Sequence, residues 1–321
     1  MRRRILTTEA EQRLSQIAHV VSPIRPEVTT EDLGSILNRA EACLTGWGTP
    51  PLSDEILIAH PRLGLVAHTA GSVRRLVSLS AMARGIRVSH AATVIADAVA
   101  EQVVLGALLC LRPLQKIDRE MKSGGDWMNL RDRYPGRLLG SQTIGIIGAG
   151  YVGRVVIRLF KAFGCRVLVA DPFLSGDQAE TLGAELVDLS TLFGTVDVLS
   201  LHAPVLPETR GMVGVEQIRS LRDGGIFINA ARAALVDEQA LLRELKTGRI
   251  TAILDVFDQE PLPHDSPFRK LPNVILSPHS AGHTIDTHQR QGDAMVDEIQ
   301  RFFNQEPLQH EVSPEMFATM A

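Results

Sequence analysis

The residues with the clearest chemical potential begin at a glycine-rich turn, Gly148-Ala149-Gly150-Tyr151-Val152-Gly153, placed directly after the apolar run Thr143–Ile147. Glycines at this spacing have separate uses: Gly148 permits a tight turn, Gly150 lets the backbone approach a pyrophosphate, and Gly153 lets the next helix lie against the strand. The start of that helix, Tyr151-Val152-Gly153, would turn free N–H groups toward an anion. Asp171 ends the next apolar run, 171 − 153 = 18 residues past the last glycine. A carboxylate there accepts hydrogen bonds from the hydroxyls of an adenosine ribose and repels a ribose phosphate, so NAD is expected over NADP. Farther along, Arg232, Glu260 and His279 stand just past three strand-like runs, Ile226–Ala230, Ile250–Val256 and Val274–Ser277. In one parallel sheet, an Arg, a Glu and a His would then converge where a hydride moves.

Positioning those residues requires an α/β fold, and the chain has its pattern: β-branched runs alternate with amphipathic segments, as in βα units feeding a parallel sheet. Six strands are expected from residue 143 on: Thr143–Ile147, Arg166–Ala170, Val196–His202, Ile226–Ala230, Ile250–Val256 and Val274–Ser277. Earlier candidates are His19–Pro23, Ala42–Trp47, Leu63–Ala70 and Arg87–Ala91, which make a smaller sheet. An Ala- and Leu-rich helix at about Thr93–Leu111 and a polar loop at Lys122–Gly140 separate the two regions. A last amphipathic stretch, about Thr284–Phe303, would return the chain to the first domain and leave Pro307–Ala321 as a surface segment. The expected organisation is two Rossmann-like or flavodoxin-like, doubly wound parallel-sheet domains with the active site in the cleft between them. Residues 1–90, completed by 288–321, form the substrate-binding domain, and residues 91–287 form the NAD-binding domain.

Composition excludes other classes. Over 321 residues, 33 Lys and Arg against 37 Asp and Glu leave a formal charge of −4. That offers no general attraction to nucleic acid or to an anionic membrane surface. The most apolar stretch, Val103–Leu111, has nine residues and reads as a buried helix too short to span a bilayer. Arg2, Arg3 and Arg4 resemble a signal-peptide start, but polar residues follow where an apolar core should be, and the arginines read as a frayed, solvated arm. Cys43, Cys110 and Cys165 fit neither a disulfide framework nor a metal site, so a cytoplasmic protein with free thiols and no metal is expected.

Four further stretches, in order on the expected strands, carry a resemblance: Leu201–Gly211, Ile228–Asp237, Asp255–Pro263 and Ser277–Gly282. With the glycine turn, they resemble the D-isomer-specific 2-hydroxyacid dehydrogenases, the phosphoglycerate, glycerate and glyoxylate reductase relatives, over roughly Pro61 to Pro307. The resemblance implies an NAD-dependent oxidoreductase that interconverts a small 2-oxo acid and its D-2-hydroxy acid, with Arg232, Glu260 and His279 as the catalytic set. Arg232 would grip the substrate carboxylate, and protonated His279 would supply a proton to the ketone oxygen, with Glu260 orienting the ring. It also implies that His202, Ala203, Pro204, Thr209, Ala230, Ala231, Asp255 and Gly282 join the glycine turn and Asp171 around the cofactor. On the substrate side it implies the loop Ala70-Gly71-Ser72, whose N–H groups would meet the carboxylate.

Two departures from relatives stand out. Where many have Gly-Val-Gly-x-Asp-Asn, this chain has Ala70-Gly-Ser-Val-Arg74-Arg75, and Arg74 would select substrates with a second acidic group. Only Arg2–Leu6 precedes the first helical stretch, Thr8–Ala18, so an opening strand is short or missing. Trp47 would wall the substrate pocket, while His19, His60 and His90 read as structural. The apolar surface of the helix near Thr93–Leu111 exceeds one monomer's need, and a homodimer is expected. A rival reading keeps the fold without turnover, as an NAD-sensing, corepressor-like scaffold.

Overall fold

The computed structural model describes residues 5–23 and 28–320. Arg2, Arg3 and Arg4, read above as a frayed arm, lie outside the described residues. Backbone contacts divide the chain into two units, residues 1–96 with 282–321 and residues 97–281. Four helices matter below: α1 (Thr8–Ile17), α2 (Ala92–Leu111), α3 (Tyr151–Ala162) and α4 (Ile285–Phe303). The first boundary, at Ala96, falls inside α2.

The smaller unit holds a parallel sheet of β1 (Ala42–Thr45), β2 (Leu65–His68) and β3 (Arg87–His90), in that order. The central β2 and most of β3 are buried, as expected of a parallel sheet covered by helices, while the edge strand β1 is only partly so. Against Leu65, Ala67 and Ala91 pack Leu6, Ala10 and Leu14 of the amino-terminal segment and Met295, Val296 and Ile299 of α4. Glu298 of α4 is fully buried; it accepts the Ser89 hydroxyl at 2.7 Å and the N–H groups of Gln309 and His310 at 2.8 and 3.0 Å. The carboxylate thereby ties the carboxyl-terminal segment to β3.

Two expectations are corrected in this unit. His19–Pro23 is not a strand, and no strand precedes Ala42 among the described residues. Nor is Pro307–Ala321 merely a surface segment: a helix at Pro314–Thr319 buries Phe317, with Val312 beside it, in the unit's core. Phe317 has an apolar site to fill, which a reading by polarity alone overlooks.

The larger unit contains seven parallel strands: β4 (Thr143–Ile147), β5 (Arg166–Ala170), β6 (Glu185–Leu186), β7 (Val198–Leu201), β8 (Ile226–Asn229), β9 (Thr251–Leu254) and β10 (Val274–Leu276). Their order, β10-β9-β8-β7-β4-β5-β6, reverses direction at β4, which lies between β7 and β5. The carboxyl ends of β4 and β7 are therefore the switch point where open α/β sheets bind ligands. β6 was not expected. Two residues pairing on the edge of β5 leave too short a pattern to read. One apolar layer includes Val103, Val104, Ala107 and Leu111 of α2, packed with Val156, Ile157 and Phe160 of α3. A second layer, with Leu192, Phe193, Leu241 and Leu245, covers the other strand residues.

The expected helix at about Thr93–Leu111 is α2, and the run Val103–Leu111 is its second half. The expectation that its apolar part is too short to span a bilayer is corrected: α2 is 20 residues long and, by length and composition alone, apolar enough to cross a membrane, with half of its apolar window buried within the chain. The loop Lys122–Gly140 proves partly helical, with a turn at Trp127–Arg133 capped by Asp126, whose carboxylate accepts the Asn129 N–H.

Candidate active site

The glycine turn is built as its spacing requires. Gly148 has φ +94°, and a Cβ there would lie 2.7 Å from the Ala203 nitrogen, so the turn presses against the backbone that follows β7. A Cβ on Gly153 would come within 2.0 Å of the Gly148 carbonyl oxygen, which fixes α3 against the turn. At Gly150 a Cβ would meet nothing within 4 Å. Gly150 is the N-cap of α3 and supplies no side-chain cap, so the positive end of the helix macrodipole faces the turn. Open space, a positive helix end and the switch point fit a dinucleotide pyrophosphate.

Asp171 follows β5 at the next strand end. Its Oδ2 accepts the Ala149 N–H at 2.6 Å and its Oδ1 the Phe173 N–H at 2.8 Å. The carboxylate therefore braces the glycine turn while keeping lone pairs for another donor. His202 lies past β7, where its Nε2 is 2.8 Å from the Ser200 hydroxyl. Burial pushes its pKa down to about 3, so the ring is neutral at ordinary pH. Thr209 closes its loop, accepting the Leu206 N–H at 2.8 Å and donating to the Pro204 carbonyl at 2.6 Å.

On the other side of the switch point, β8 leads into a turn organised by Asn229. This buried amide accepts the Ala231 N–H and donates to the Arg232 carbonyl, both at 3.0 Å. The turn presents Arg232, which is half-buried and donates to the Ala231 carbonyl at 2.7 Å, along with the half-buried Ala230 and Ala231.

After β9 comes Asp255, 1% exposed. Its Oδ1 accepts the Ser277 hydroxyl at 2.6 Å and the Ser280 N–H at 2.9 Å, and its Oδ2 accepts the Ala281 N–H at 2.9 Å. The Gln102 amide of α2 donates to the same carboxylate at 3.3 Å and to the Ser277 hydroxyl at 3.0 Å. The Asp255 carbonyl takes the His279 N–H at 2.8 Å. One residue thus grips the loop after β10 at four points, and His279 is held there at φ 51°, a left-handed conformation that its surroundings must enforce.

The His279 ring meets Glu260: Nδ1 to Oε2 is 2.7 Å, while Glu260 Oε1 accepts the Phe257 N–H at 3.0 Å. Partial burial works to raise the Glu260 pKa, but the hydrogen bonds from His279 and Phe257, with the fields of His279 and Arg232, outweigh it and leave the pKa below its ordinary value. Glu260 is therefore a carboxylate at neutral pH. A carboxylate at Nδ1 leaves Nε2 as the ring atom available for proton transfer. The larger unit thus gathers Arg232, Glu260 and His279 in one neighbourhood.

The remaining expected residues belong to the smaller unit. Ala70 is buried and Gly71, Ser72 and Gly282 are half-buried. Trp47 is 43% exposed, with its ring centroid 5.6 Å from that of His288. Arg74 is exposed and donates to the Met320 carbonyl at 3.1 Å. Sequence reading passed over Asn229, Gln102 and Ser277 as site residues. Asn229 opens the turn ending in Arg232, a position where Asn side chains commonly bond their own backbone. Nothing in the spacing pairs Gln102 with Asp255, because the contact joins residues 153 apart.

Comparison with known proteins agrees with this construction. Residues 104–281 match the model of the D-isomer specific 2-hydroxyacid dehydrogenase, NAD binding domain. The chain is 34% identical over 274 residues to a glyoxylate reductase from Korarchaeum cryptofilum, covering 83% of this chain and 82% of that protein. It is also 34% identical over 260 residues to a D-3-phosphoglycerate dehydrogenase from Archaeoglobus fulgidus, of which it spans about half, 49%. The crystal structure of a phosphoglycerate oxidoreductase from Rhizobium etli superposes with a TM-score of 0.80 at 29% identity, covering 95% of this chain and 93% of that one. A switch-point glycine turn, a braced Asp and a His–Glu pair at adjoining strand ends thus lie within the residues that match this family, 104–281. The chain belongs to the D-isomer specific 2-hydroxyacid dehydrogenases, NAD-dependent oxidoreductases that interconvert 2-oxo and 2-hydroxy acids.

Proposed function

We propose that this chain reduces a small 2-oxo acid to the D-2-hydroxy acid with NADH in preference to NADPH, using Arg232, Glu260 and His279. The observation that carries the reading is the 2.7 Å contact of His279 with an ionised Glu260. Glu260 holds the ring by Nδ1, so protonated His279 donates from Nε2 to the substrate ketone oxygen, and neutral His279 takes the hydroxyl proton in the reverse direction. Arg232 is assigned to the substrate carboxylate, and the Ala70–Ser72 loop is assigned carboxylate binding through its N–H groups. The bound nicotinamide supplies or takes the hydride. Gly148, Gly150 and Gly153 leave the backbone space for its pyrophosphate, and Asp171 accepts from the adenosine ribose and disfavours a phosphate there. Asp255 acts first as the clasp of the His279 loop.

The working protein is proposed to be a cytoplasmic homodimer. Leu105, Leu114, Trp127, Met128 and Leu138 are each more than half exposed within one stretch of the larger unit, more apolar surface than scattered exposure gives. The three cysteines are unpaired, as suits a reducing compartment.

The test is initial-rate reduction of a panel of 2-oxo acids with NADH and NADPH in parallel. Turnover with at least one acid and a clearly higher kcat/KM for NADH is expected. Equal efficiency with NADPH would refute the role given to Asp171.

A further inference from the structure

The smaller unit carries a buried histidine with a specific orienting contact. β2 and β3 pair in register so that His68 lies beside His90, at the strand ends where the Thr69–Ser72 loop departs. Thr69 is moored by its N–H and its hydroxyl, both donating to the Thr45 carbonyl at 2.9 Å. The Ala70 carbonyl accepts the Ala91 N–H at 3.0 Å. The Gly71 carbonyl is 2.7 Å from Nδ1 of His90. A carbonyl oxygen can only accept, so Nδ1 carries the hydrogen. Burial pushes the His90 pKa below its ordinary value, with the Gly71 hydrogen bond opposing and His310 assisting, and the ring stays neutral.

These contacts decide where the next N–H groups point. The peptide bonds of the loop are trans, the cis peptide among the described residues being Glu260–Pro261. In a trans peptide the C=O of one residue and the N–H of the next point in opposite directions. With the Ala70 and Gly71 carbonyls drawn toward the end of β3, the Gly71 and Ser72 N–H groups face away from it. Neither N–H donates to a protein acceptor among the described residues, and both residues are half-exposed. Two successive N–H groups aimed one way form an anion cradle.

We propose that His90 is a positioning residue that, by holding the Gly71 carbonyl, aims the Ser72 N–H, and with Ala91 the Gly71 N–H, at the substrate carboxylate. The proposal rests on the reading of Ala70–Ser72 as the carboxylate loop. His90 is 3% exposed and does not itself reach substrate. A purely structural histidine would support the fold without affecting carboxylate affinity.

The test compares His90→Ala with His90→Asn, whose amide can donate from about the place of Nδ1. In the full-length protein with NADH bound, oxamate serves as the carboxylate probe. In His90→Ala, the oxamate Kd and the KM for an oxo acid of the panel should rise roughly tenfold, the loss expected for a buried hydrogen bond. kcat should change less and NADH affinity should not change. His90→Asn should recover most of the loss. If the Ala variant does not fold, His90→Leu fills the volume without a donor and carries the same comparison. In the wild type, the Gly71 and Ser72 amide resonances should shift when oxamate binds. Shifted resonances with unchanged oxamate affinity in the donor-less variant would overturn the proposal and leave the carboxylate reading standing. Unshifted resonances would show that the carboxylate reading itself is wrong, and the proposal would fall with it.

Discussion

At the scale of single residues, the active-site chemistry depends on one carboxylate staying ionised and in place. Glu260 does both because its two oxygens have separate partners, the His279 ring and the Phe257 N–H. Glu260→Gln preserves shape and removes charge. The amide no longer holds the ring by a charged contact at Nδ1, so kcat for reduction should fall by about tenfold or more while NADH affinity stays as in the wild type. Initial-rate kinetics on the folded variant check this, and an unchanged kcat would mean that Glu260 does not orient the ring that transfers the proton. The pairing of Glu260 with His279 was legible in the sequence through strand-end placement and family resemblance. The brace that Asp171 gives to Ala149 was not, because residue type and spacing reveal a carboxylate but not which N–H it accepts.

At the scale of elements, two glycines of one turn should answer differently to the same methyl group. On Gly153 the added Cβ would sit 2.0 Å from the Gly148 oxygen, so α3 must move; overpacking of this kind costs about 1–3 kcal/mol. Gly153→Ala should lower both Tm and NADH affinity. On Gly150 the methyl enters open space, so Gly150→Ala should keep the wild-type Tm yet weaken NADH binding by about tenfold or more, because the pyrophosphate needs that space. Calorimetry and fluorescence titration would check both, and equal Tm losses would contradict the assignment. The turn was readable because strand, glycines and helix are contiguous in sequence. β6 was missed because two residues carry no periodicity, and Phe317 because one buried aromatic in a polar tail gives no pattern. The non-strand at His19–Pro23 shows the converse: a short β-prone run without a pairing partner remains coil.

At the scale of the whole molecule, burying neutral histidines links stability to pH. Burial, with His90 nearby, lowers the His68 pKa to about 4, and burial lowers that of His202 to about 3. Both lie below the unfolded value of about 6.5, so the unfolded chain binds more protons in that interval, and folding stability falls as pH drops from about 6.5 toward 4. Tm should decline between pH 7 and 5, before most carboxylates titrate, and less steeply in His68→Gln. A flat profile in the wild type would contradict the burial of these rings. The central claim, that the larger unit's Arg232, Glu260 and His279 make this chain a catalyst and not only an NAD-binding scaffold, is tested most directly by His279→Ala. NADH affinity and 2-oxo acid reduction should be measured on the variant and wild type together. The account predicts turnover by the wild type, a fall in kcat of about 10²–10⁴ in the variant, as for loss of an acid–base group, and unchanged NADH binding. NADH binding by the wild type without turnover of any 2-oxo acid, or turnover that survives the substitution, would contradict it.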